Sequence, residues 1–144
     1  MKKSDLRVCY ALVSGAKLTK LDDAGKIKVM RAYRKMRPAA EEINHFIEET
    51  AKKMQGDEHA AMEEKSEQWK REGADTSLTL AERMAVNAYY EAYNRRVDEC
   101  LAEPLAEEFE ADWEALTEDE LLTLAAGNDW TPAALDVLEK VLCG

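Results

Sequence analysis

Eight residues between Val29 and Met54 recur at alternating spacings of four and three: Val29, Tyr33, Met36, Ala40, Ile43, Ile47, Thr50 and Met54. Such an alternation draws one largely apolar stripe along an α-helix, and it does not fit a strand, whose side chains repeat every second residue. The chain therefore carries one helix from Asp22 or Asp23 to about Gln55, stopped by Gly56. Pro38 falls inside it and predicts a kink near Arg34, but the stripe keeps its phase across the proline, so the segment reads as a single helix.

A second stripe, Val86, Tyr90, Tyr93, Val97 and Cys100, opens after the capping box Thr79-Leu80-Ala81-Glu82 and is expected to stop at Pro104. The two helices would be of comparable length, about 35–45 Å at 1.5 Å per residue. We therefore expect a mainly α chain: an antiparallel, coiled-coil-like and elongated hairpin, with a short N-terminal helix and a small C-terminal helical module. Leu80, Met84 and Ala88 lie roughly opposite the second stripe. An apolar edge of this kind calls for a cover from the N-terminal helix, the tail or a second subunit, and it is the main sequence signal for association.

The remaining pieces are shorter. Ser4-Asp5 can cap a helix bearing Leu6, Tyr10 and Val13, which Gly15 ends. Residues 57–76 form a polar, variable middle segment with a candidate helix around Met62, Ser66 and Trp69, closed by Gly73. Glu108 to Ala115 alternates strictly, which favours one short strand, although Phe109, Trp113 and Leu116 also suit a helix. Thr117-Glu118-Asp119-Glu120 is another capping box, opening a helix that ends at Gly127, and Thr131-Pro132 starts a last one. The organisation expected is one domain over 1–144, with the hairpin body at 22–104 and an acidic module at 105–144.

Charge is sorted along the chain. Residues 1–37 carry eleven Lys/Arg against three Asp/Glu, for a net +8, while residues 98–144 carry one against fourteen, for −13. This polarity suggests that one end meets an opposite charge, in a partner or in the other end of its own chain. The basic cluster Lys26, Lys28, Arg31, Arg34, Lys35 and Arg37 has three readings: a solvated face, a dock for an acidic segment, or a nucleic-acid contact. The net charge of −10 opposes the third.

The other constraints are negative. The longest apolar runs are only a few residues, so no membrane span is expected. Met1-Lys2-Lys3 resembles the start of a secretion signal, but Arg7 follows and no apolar stretch does, which favours the cytoplasm. Cys9, Cys100 and Cys143 are far apart and form no C-x-x-C pair, which suggests free thiols. Glu42-Ile43-Asn44-His45 has the E-x-x-H spacing of di-iron bundles, but the only other histidine, His59, lacks a matching glutamate. No phosphate-binding glycine loop, nucleophile elbow or calcium loop occurs. The expectation is a protein that is not an enzyme and takes no cofactor. Tyr89, Tyr90 and Tyr93 beside Arg95 and Arg96 could stack on a ligand, but Tyr90 and Tyr93 on the stripe favour packing.

The order of Gly15-Ala16-Lys17-Leu18, Lys26-Ile27, Arg37-Pro38-Ala39-Ala40-Glu41-Glu42, Leu116-Thr117-Glu118-Asp119-Glu120-Leu121 and Ala134-Leu135-Asp136-Val137-Leu138 resembles a family of short uncharacterised phage and prophage proteins. The likeness covers most of the chain in outline, although the segment 57–76 is longer than that pattern. It implies a helical body, a small tail module and a phage accessory or assembly role, and it transfers no functional residues.

Overall fold

The computed structural model describes all 144 residues and is mainly α. Six helices follow one another: α1 (Lys3–Ser14), α2 (Asp23–Lys53), α3 (His59–Glu72), α4 (Leu80–Ala106), α5 (Glu118–Ala126) and α6 (Pro132–Leu138). A 3₁₀ turn at Gly73–Asp75 follows α3, and a π-helical turn at Glu139–Cys143 follows α6. No helix is long and apolar enough to cross a membrane.

The chain divides into two compact units, Met1–Phe46 with Pro104–Gly144, and Ile47–Glu103. This grouping cuts across the division into body and tail expected from the sequence, because the C-terminal segment belongs with the N-terminal third.

In the first unit, α2 buries Val29, Met36, Ala40 and Ile43 of the stripe and Ala32 beside it, while Tyr33 is half-buried. Leu6 and Cys9 from α1, Leu124 from α5 and Leu138 from α6 complete a core in which each of these four is 0% exposed. Every large side chain that is less than 2% exposed lies in this unit.

α1 starts at Lys3, with neither Ser4 nor Asp5 as its cap. Backbone pairing explains the difference: Lys3 N–H donates to Glu107 O (3.0 Å) and Phe109 N–H to Met1 O (2.7 Å), which fixes the entry of the helix without a side-chain cap. The same contact corrects the strand expected at Glu108–Ala115. Only an isolated Lys2–Glu108 bridge forms, and the alternating residues beyond it are irregular. At the far end of α5, Asn128 receives the Lys17 N–H (2.8 Å) and donates to the Lys17 carbonyl (2.9 Å).

In the second unit, α3 spans the segment whose structure the sequence left open, and the expected Met62, Ser66 and Trp69 face is half-buried. Gly73 ends it at φ 65°, a conformation that favours glycine. The turn that follows is closed by Glu72, whose carboxylate accepts from Ser77 N–H (3.0 Å) and Thr76 Oγ1 (3.0 Å). These bonds, that from the Ser77 backbone foremost, hold its pKa below the usual carboxylate value.

α4 departs from expectation twice. It runs through Pro104 to Ala106, because a proline in the last turn removes only one ladder bond. Its buried face is Val86, Tyr89, Tyr93, Val97 and Leu101, so Tyr89 and Leu101 replace Tyr90, which is half-buried, and Cys100, which is exposed. From Tyr89 onward the steps are all four, which follows an i, i+4 ridge rather than the alternating coiled-coil spacing.

The three cysteines are free and differ sharply in access: Cys9 is buried, Cys143 half-buried and Cys100 exposed. Burial pushes the Cys9 thiol up to about 12. A thiol reagent at pH 8 should therefore label Cys100 first and Cys9 only at the rate of unfolding. Mass-spectrometric mapping of labelled cysteines over time checks this, and rapid labelling of Cys9 under native conditions would contradict it.

Candidate functional site

The basic cluster lies on α2 within the first unit, and its members have separate environments. Lys28 reaches Glu120 Oε1 at 2.7 Å and Glu114 Oε1 at 3.6 Å, and Lys35 reaches Asp112 Oδ1 at 3.7 Å. Arg37 lies over the Tyr33 ring, 5.2 Å from its centroid, and Tyr33 stacks on Tyr10 at 4.9 Å. Lys26, Arg31 and Arg34 make no ion pair; Arg31 and Arg34 are exposed, and Lys26 is half-buried. The cluster is thus no uniform solvated face. Two of its cations already hold carboxylates of the acidic segment, which answers within one chain the question raised by the charge polarity.

Glu120 gives this docking its precision. Its side chain accepts the Thr117 N–H (3.0 Å) while Thr117 Oγ1 accepts the Glu120 N–H (3.2 Å), so the capping box forms as expected. The same Oε1 receives Lys28, and one carboxylate oxygen therefore both starts α5 and fastens it to α2. Lys28 first and the capping N–H second hold the Glu120 pKa below its ordinary value, while Glu120 raises that of Lys28. A lowered carboxylate pKa stabilises the fold above its ordinary value of 4.5, and that stabilisation is lost as the pH falls through the lowered value. Glu120→Gln should consequently flatten the acid side of the stability–pH curve measured by urea melts between roughly pH 2.5 and 6; an unchanged acid limb would contradict the assignment.

The acidic residues form a strap, Glu110–Ala115, between α4 and α5. Backbone bonds anchor its flanks, Phe109 N–H to Met1 O and Leu116 N–H to Leu142 O (2.8 Å), but no backbone bond holds Glu110–Ala115 itself. Its middle rests on α2 through Asp112 and Glu114. Trp113 lies with Lys28, Arg31, Lys35 and Glu114 around a cleft of about 200 Å³. The Trp113 indole Nε1 is buried without a hydrogen-bond partner.

An open groove of about 500 Å³ also lies in the first unit, walled by Ala39, Ile43, Phe46, Pro104, Leu105 and Phe109 with the Lys3–Glu107 ion pair at its rim. Glu42 lines this groove and His45 is exposed on the same helix.

In the second unit, Leu80 and Met84 are each 63% exposed and Ala88 is exposed, so nothing in the chain covers the edge that the sequence singled out. Ala81, Ala85 and Ala92 are exposed beside them. On the opposite side of α4, Tyr89 and Tyr93 stack in parallel at 6.0 Å and His59 packs against Tyr93 at 4.9 Å, its Nδ1 2.6 Å from the Tyr89 hydroxyl. These rings pack among themselves and offer no free stacking platform. Sequence reasoning missed His59 as a structural residue, since its partner lies 30 positions away.

No protein-family model, curated protein or solved structure matches the chain.

Proposed function

We propose that this chain is a non-enzymatic protein-interaction or assembly module that self-associates through the exposed face of α4. The observation that carries the reading is that the first half of α4 is apolar on both sides. One side packs within its unit through Val86, Tyr89 and Tyr93, while Leu80 and Met84 stand in solvent on the other. A helix apolar all round is stable when both faces are covered. Ala81, Ala85, Ala88 and Ala92 repeat at four, three and four, so a second helix can approach closely. Two copies of one such face are self-complementary about a two-fold axis. The resemblance to short phage and prophage proteins supports the same class, an accessory or assembly role, and three free thiols suit a reducing cytoplasm.

The alternative, a nucleic-acid regulator using Lys26 to Arg37, is disfavoured because Lys28 and Lys35 are engaged by carboxylates of the same chain. Light scattering after gel filtration tests the main reading. The wild type should run at twice 16.3 kDa or more at high concentration, and Leu80→Glu/Met84→Glu should run as a folded monomer. A wild-type monomer at millimolar concentration, or an unchanged mass for the double variant, overturns it.

A further inference from the structure

The strap is itself a bound ligand of known composition, and it identifies what the surface beneath it recognises. We infer that the Lys28–Arg31–Lys35 face of α2 is a docking surface for an acidic, aromatic-bearing segment of a partner protein, and that the chain's own strap occupies it as an intramolecular competitor.

Three observations carry this. First, the complementarity is specific in kind: an irregular Asp112-Trp113-Glu114, bent at Trp113, sets a carboxylate on Lys35 and another on Lys28, with the indole in the cleft that these cations line. Second, the occupant is held weakly where it touches the surface. Its two ion pairs there are long, at 3.6 and 3.7 Å, their carboxylates are 73% and 91% exposed, and exposed pairs of this sort contribute little. Trp113 brings a buried N–H that finds no partner, so the docked state carries a penalty that is relieved on lifting. Third, the surface has unused capacity, because Arg31 lines the cleft with Trp113 and Glu114 and is exposed and unpaired.

The source of the competing segment follows from the anchors. Phe109 and Leu116 are fixed by backbone bonds to Met1 and Leu142, so Glu110–Ala115 can rise as a loop but cannot leave to be exchanged with a second copy. The incoming segment therefore belongs to another protein, and this surface is separate from the face of α4 proposed for self-association.

The test uses the full chain and a fluorescein-labelled synthetic peptide copying residues 107–117 as the probe, read by anisotropy at low salt. Wild type should bind it weakly. Asp112→Asn/Glu114→Gln, isosteric changes at exposed positions, should bind it about two- to fivefold more tightly, because the competitor is weakened. Adding Lys28→Glu and Lys35→Glu should abolish binding. Far-UV melts confirm that each variant folds, and Lys35→Glu alone, at an exposed position, serves should the quadruple variant not fold. Equal binding by wild type and the Asp112/Glu114 variant overturns the competitor role, and binding that survives Lys35→Glu overturns the surface. A single-stranded oligonucleotide of equal charge binding more tightly than the peptide would replace the acidic segment with nucleic acid as the ligand.

Discussion

Leu138→Ala should destabilise the protein by about 3 kcal/mol, within the range of about 2–5 kcal/mol for emptying a fully buried leucine site. Leu138 is 0% exposed, ends α6 and leads into the π-helical turn that buries Val141 and Leu142. α6 packs on α1, and the turn that follows packs on both α1 and α5, so the cavity cannot collapse without moving α1 or that turn. Leu142 also accepts the Leu116 N–H, so loosening the turn loosens the distal anchor of the strap. A midpoint drop of roughly 10 °C is expected for a domain of this size. Leu122→Ala, at a site 66% exposed, should stay within about 0.5 kcal/mol. Far-UV thermal melts of both variants decide it, and comparable drops would mean that the core does not lie where burial puts it.

Which parts of this arrangement could be read from the sequence depends on the range of the interactions that fix them. The starts of α4, α5 and α6 were legible because a capping box or a Thr-Pro pair acts over three residues, and each side-chain cap forms. The α2 stripe was legible from Val29 to Ile43 because one face of that helix is apolar and the other charged. The phase of α4 was not. Tyr89 and Tyr90 are adjacent with alanines around them, so either phase suits an apolar face, and Tyr89 is the one whose hydroxyl meets His59 Nδ1. The strand expected at 108–115 failed for a related reason. Alternation of acidic with apolar residues is what a strand needs, but here it arises from carboxylates placed to meet Lys28 and Lys35. The charge polarity itself was plain in the sequence; its resolution within one chain required knowing that residues 107–120 return to α1 and α2. His59 illustrates the limit, since a lone histidine carries no signal of the tyrosine 30 positions away that holds it.

In the second unit, Tyr93→Ala should cost about 3–5 kcal/mol, the largest effect expected for any substitution there. This unit is thinly packed: its buried apolar residues are Leu78, Val86, Tyr89, Tyr93, Val97 and Leu101, at 3–9% exposure, and none is fully enclosed. Tyr93 is the hub. Its ring meets those of His59, Tyr89 and Tyr90, and its hydroxyl donates to Ala51 O at 2.6 Å. Ala51 is among the last four residues of α2, whose carbonyls have no partner within the helix, so Tyr93 completes the end of α2 as well as filling the cluster. Tyr93→Phe separates the two roles. It keeps the ring contacts and removes only the hydroxyl, and should cost about 1 kcal/mol, because the part-buried carbonyl can still be reached by water. Urea melts followed by near-ultraviolet circular dichroism, which reports on the tyrosine cluster, give both values. If Phe costs as much as Ala, the hydrogen bond to the end of α2 holds this unit together and the aromatic packing is secondary; if neither costs more than about 0.5 kcal/mol, the cluster contributes nothing to its stability.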